Sequence, residues 1–174
     1  LRDAAGENRC FLALFNWDAF QPVTLTVTAS GLDFRSEAPL AVFDFWARQY
    51  AGTMAGQLSV AVPPASVRLL GIREQQHHPF LLASDHHLLQ GALDFGPERW
   101  DPPSNTLSGT FPAVATTTYT FWILLPSDQW SLRETSFSPA FSVETARSGR
   151  VITLRFSTEA YSGNATYRLV FNGS

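Results

Sequence analysis

The chain has 174 residues, 45% hydrophobic and 16% charged, a globular composition long enough for one β-rich domain or two small ones. No apolar run approaches the roughly 18 residues that cross a bilayer as a helix, and a formal net charge of -3 gives no clustered positive charge for phosphate backbones. Membrane spans and nucleic-acid partners are therefore poor expectations. All 12 cationic residues other than histidine are arginine, a bias that points to a GC-rich coding sequence rather than to arginine chemistry.

The N-terminal "LRDAAGENRC" has neither a basic n-region nor an apolar h-region, so it reads as a cut inside a longer protein rather than as a signal peptide. Period-two alternation then dominates. "RCFLALFNW" (9–17) is apolar on both faces, which predicts either a central strand or one covered by another domain. "PVTLTVT" (22–28) sends Val23, Leu25 and Val27 one way and its threonines the other, and "QLSVAV" (57–62) repeats the pattern. "PLAVFDFW" (39–46) and "SVRLLGI" (66–72) complete the first series, with turns at Ser30-Gly31, Ala51-Gly52, Gly56 and Pro63-Pro64.

After Ile72 the polar run "REQQHHP" marks the best domain boundary in the chain. A second strand series follows, predicted at 80–84, 86–95, 106–111, 117–125, 140–145, 150–157 and 164–171, separated by "GPERWDPPSN", "PSDQW", "ARSG" and "YSGN". The expectation is an all-β protein of two tandem antiparallel β-sandwiches, residues 1–75 and 78–174. The second is expected to be immunoglobulin-like, although other Greek-key connections give the same pattern.

"FLALFNWDAFQPVTLTV" and "AVFDFWARQYAGTMAGQLSVAVPPASVRLLGI" together resemble the C-terminal β-domain that follows the (β/α)8 barrel of melibiase-type α-galactosidases and related glycoside hydrolases. The likeness covers roughly residues 8–73 and rests on Phe15-Asn16-Trp17, Asp44-Phe45-Trp46 and "VPPASVRLL"; Ala65 stands where that family usually has histidine. "HPFLLASDHHLLQGAL" is similar to the start of an extra sandwich that follows this domain in some bacterial members. The resemblance implies a non-catalytic fragment that supports and docks on a catalytic barrel. The catalytic aspartates, at the ends of barrel strands, would lie outside this chain. No cofactor is implied.

Within the chain, Asp18 and Asp44 are the obvious carboxylate pair, but "NWDAF" and "FDF" suit structural aspartates better. Cys10, in an apolar run, reads as a buried small hydrophobe rather than a nucleophile. Every histidine falls in "HHPFLLASDHH" (77–87), yet adjacent strand residues point apart, so a metal would need the linker to fold back and bring His77 or His78 to Asp85 or His87. His78, Asp85 and His87 are thus weak metal candidates, and a hinge between two sandwiches is the preferred reading. Neither a GxSxG elbow nor a phosphate-cradling GxxxxGK loop is present. The alternative function is carbohydrate binding by the second sandwich. Trp100 and Trp130 sit in predicted loops and Trp122 on the more polar face of its strand, where indole rings can stack on sugars.

Overall fold

In the computed structural model, residues 9–32, 34, 38–85 and 95–173 are described. The chain divides into two compact units, Leu1–Gln75 and Gln76–Ser174. Every strand pairing in both is antiparallel.

The first unit runs β1 (Arg9–Asn16), β2 (Val23–Thr28), β3 (Leu40–Asp44), β4 (Gln49–Met54), β5 (Gln57–Val62) and β6 (Ser66–Glu74). Four strands form one sheet in the order β1-β6-β3-β4, and β2 pairs with β5 in a second. The alternation seen in the sequence sorts the faces: Leu12, Leu14, Leu40, Val42, Met54, Leu70 and Ile72 meet Val23, Leu25, Val27, Leu58, Val60 and Val62 in one core. Behind that core, on the wet side of the small sheet, the hydroxyls of Thr26 and Ser59 hydrogen-bond across the strands at 3.0 Å.

Two expectations change here. β1 lies at the edge of its sheet, not at its centre. Its two apolar faces have different fates, since Leu12 and Leu14 point into the core while Phe11 and Phe15 remain open. β4 was expected to be a turn because of Ala51-Gly52. Only its last residue, Met54, is buried, so it shows no apolar period. It still pairs with β3 through an irregularity at Val42/Phe43, where Gly52 takes a φ of 115° that L-residues rarely adopt.

The second unit contains β7 (Phe80–Ser84), β8 (Arg99–Asp101), β9 (Thr106–Ala113), β10 (Thr118–Leu124), β11 (Ser131–Ser138), β12 (Val143–Ser148), β13 (Val151–Ser157) and β14 (Gly163–Asn172). Its sheets have the orders β12-β13-β10-β7 and β11-β14-β9-β8. That is a sandwich of four strands on four, where the constant-type immunoglobulin arrangement has four on three. The central pairs nest, β10 with β13 in one sheet and β9 with β14 in the other, as Greek-key connections produce.

Aromatic rings fill the space between these sheets. Phe121 meets Phe95, Phe111, Phe156 and Tyr167 edge-on, at centroid distances of 5.1, 5.3, 5.0 and 5.8 Å, the geometry that ring quadrupoles favour. β8 and β11 fall where loops were expected. β8 is three residues long, and β11 buries only Phe137, so neither carries a legible period. Of the predicted strand 86–95, residues 86–94 lie outside the described residues.

Candidate functional site

Among the described residues of the histidine segment, His78 and Asp85 are engaged with different partners. His78 holds its Nδ1 2.9 Å from the carbonyl oxygen of Pro79, and its ring lies flat on Trp100, with centroids 4.8 Å apart and planes 3° from parallel. Asp85 is engaged elsewhere: its Oδ1 accepts from the Thr120 amide at 2.7 Å, and its own amide donates to the Thr120 carbonyl at 3.1 Å. It thereby extends the β7–β10 pairing. His77 is exposed. His86 and His87 lie outside the described residues. Among the described residues no group of three or more histidine, cysteine, aspartate or glutamate side chains is placed to hold a metal ion.

The three tryptophans expected as sugar platforms are largely enclosed. Trp122 and Trp130 are 7% and 6% exposed. Trp100 is half-buried in β8, with one face on His78, its ring against Trp130 at 5.9 Å and against Phe171 at 6.2 Å. The loop placement of Trp130 is correct, but the loop folds inward. Arg147 donates to the carbonyls of Trp130 and Asp128, both at 2.9 Å, and braces the turn that carries the indole. On β10 the alternation is also correct, with Tyr119, Phe121 and Ile123 in the core cluster. The opposite face is closed as well, Thr120 and Trp122 each being 7% exposed.

Both candidate aspartates organise turns. Asp18 Oδ1 accepts from the amides of Phe20 and Gln21 at 2.8 and 2.9 Å, and these two bonds hold its carboxyl below the usual range. Asp44 Oδ1 accepts from the amides of Trp46 and Ala47, both at 2.9 Å, while its Oδ2 faces the Arg68 guanidinium at 3.4 Å. Each is an Asx-type turn that stops a strand. Cys10 points toward the first unit's core, and burial pushes its thiol pKa up, away from nucleophilic use.

What stands open is a strip of aromatic rings in the first unit. On the face of the β1-β6-β3 sheet turned away from that unit's core, Phe11 is level with Gly71 and Phe43, Ala13 with Leu69, and Phe15 with Val67. Every one of these positions is apolar. Gly71 has a packing reason: a Cβ there would lie 3.0 Å from Phe45, whose ring also meets Phe11 at 5.8 Å and Phe43 at 5.2 Å. Phe43 is buried, whereas along β1 and the turn after it Phe11 is 36% exposed, Phe15 50%, and Trp17 and Phe20 85% each; Trp46 is 59% exposed. Trp17 stacks on Phe15 at 5.3 Å with planes 4° from parallel, which leaves its outer face to solvent. The signal for this strip was present in the doubly apolar reading of 9–17. The tryptophans singled out were those of the other unit.

The turn carrying Trp17 and Phe20 is tightly tied. The Asn16 side-chain amide donates to the carbonyls of Gln21, Val62 and Pro63 at 2.8, 3.2 and 3.0 Å, and Asn16 Oδ1 accepts from the Asp18 amide at 3.0 Å. The Ala65 amide donates to the Asp18 carbonyl at 2.8 Å. Rings held in water by a rigid turn cost little further ordering on association.

One family model matches within the first unit. The family described as the alpha galactosidase C-terminal beta sandwich domain matches residues 3–72. No curated protein matches the chain.

Proposed function

We propose that this chain, whose residues 3–72 match the alpha-galactosidase C-terminal β-sandwich domain, is a non-catalytic part of a glycoside hydrolase, with residues 1–75 docking on a (β/α)8 catalytic barrel and residues 78–174 forming an accessory sandwich. The open aromatic strip of Phe11, Phe15, Trp17 and Phe20 carries this reading. An aromatic side chain offers about 150–250 Å², so at their exposed fractions these four rings present roughly 400–600 Å², the size of the largest apolar patch on a monomer, about 300–600 Å² and often functional. Asp18 and Asp44 are engaged with backbone amides and support no hydrolytic role. The coding sequence upstream of Leu1 is expected to encode a (β/α)8 pattern with carboxylates at strand ends, and the polypeptide it encodes is expected to bind this chain. Aryl-glycoside hydrolysis should require the upstream part. Hydrolysis by the purified chain alone, or failure of the two parts to associate, would overturn the reading.

Carbohydrate binding through Trp100, Trp122 and Trp130 draws no support from their packing. Titration of the chain with galactosides, glucans and mannans is expected to give no saturable heat, and saturable heat lost on Trp100→Ala would reinstate it.

A further inference from the structure

The geometry points to the turn Trp17-Asp18-Ala19-Phe20 as the anchor of the docking surface, received by an apolar pocket of the barrel that carries an arginine or lysine paired with Asp18. This rests on the docking reading above and assigns within it the residues that dominate and the chemistry of the partner. Several rings are open, but they are not equivalent. Trp17 and Phe20 are 85% exposed, against 36% for Phe11, 50% for Phe15 and 59% for Trp46, so the turn has the most apolar surface to remove from water. Interfaces concentrate binding energy in a few such aromatic anchors that fill pockets.

The turn also has the least freedom to lose. Asn16 ties it to the carbonyls of Gln21, Val62 and Pro63, and Asp18 ties it to the amides of Phe20 and Gln21. Phe15 backs the indole of Trp17 from beneath. The strip continues from the turn along β1 onto the apolar sheet face, which a partner of protein size would cover and a single sugar ring would not.

Asp18 sets the partner's charge. It sits between the two most exposed rings, its Oδ1 is committed to the turn, and its Oδ2 makes no hydrogen bond to the described residues. A pocket that closed over Trp17 and Phe20 would desolvate this carboxylate, and a desolvated charge is tolerated only when paired. A guanidinium or ammonium group in the pocket meets that need, and a guanidinium would in addition stack on the outer indole face.

The test is to produce the polypeptide encoded upstream of Leu1 separately and to measure its affinity for the 174-residue chain by calorimetry at low and high salt. Trp17→Ala and Phe20→Ala are each expected to weaken binding about 30-fold or more, and Trp46→Ala by no more than about threefold. Asp18→Asn keeps the acceptor that holds the turn, and is expected to weaken binding and flatten its salt dependence. A retained circular-dichroism spectrum and a cooperative melt would show that each variant folds, with Asp18→Asn melting somewhat lower because the Phe20 and Gln21 amides favour the ionised carboxyl. Wild-type affinity in both aromatic variants, or an unaltered salt dependence in Asp18→Asn, would overturn the anchor while leaving docking in place. Saturable binding of free galactosides or glucans, lost in Trp17→Ala, would assign the turn to sugar instead. No association even of the unsubstituted chain would overturn the docking reading itself.

Discussion

Asn16 shows how one side chain fixes a functional turn. It is 5% exposed, and its amide donates to three carbonyls, those of Gln21, Val62 and Pro63. Asn16→Ala should cost about 2–3 kcal/mol, the penalty of stranding buried acceptors, read as a lower denaturation midpoint for the first unit. Asp18 supplies the pH dependence of the same turn. Its folded pKa is lowered by the Phe20 and Gln21 amides, so its stabilisation is fully present above the ordinary carboxylate range and is lost as pH falls through the lowered folded value. Asp18→Asn is therefore expected to flatten the acid limb of a stability-against-pH profile; an unchanged limb would contradict this. In the other unit, Thr116 is a β-branched residue at a φ of 57°, a conformation that glycine adopts without steric cost. Thr116→Gly should stabilise by about 1 kcal/mol, raising the melting temperature of that unit by about 4–8 °C.

At the scale of elements, strand pairing determines which glycines can be replaced. Gly109 on β9 lies opposite Tyr167 on β14. A Cβ there would fall 2.8 Å from Tyr167 Cε1, and that ring, 2% exposed, is enclosed. Gly109→Ala should destabilise by about 1–3 kcal/mol through overpacking, checked by urea unfolding; a neutral outcome would mean that the ring can move. The elements legible in the sequence were those with a period. β2, β5, β10 and β13 alternate cleanly and were placed within a residue or two. β4, β8 and β11 were missed because each buries at most one side chain fully, so partner strands rather than a local pattern hold them in place. β12 was expected at 140–145 and forms at Val143–Ser148, because the turn that ends it is set by Gly149 at a φ of 54°. Arg147, bonded to the Gly149 carbonyl at 2.8 Å, braces that hairpin.

For the whole molecule, the contacts divide the chain after Gln75, and the sequence turns polar after Ile72. The second unit has its own enclosed aromatic core, so residues 76–174 produced alone are expected to fold cooperatively, with near-ultraviolet dichroism from packed tryptophan and a sigmoidal melt. A broad, non-cooperative transition would show that this core is insufficient by itself. Sequence alone determined the β class and carried the motifs of the family whose model matches residues 3–72, because strand alternation and short family motifs are local properties of a chain. Tertiary structure alone decided which aromatics face water. Trp17 and Trp130 are the same residue type in similar turn-like settings, yet one is 85% exposed and the other 6%. The difference comes from residues distant in sequence. Gly173 lies against the Trp130 indole and Arg147 bonds the Trp130 carbonyl, whereas Val62 and Pro63, bonded by the Asn16 amide, hold the turn of Trp17, whose ring stays outside.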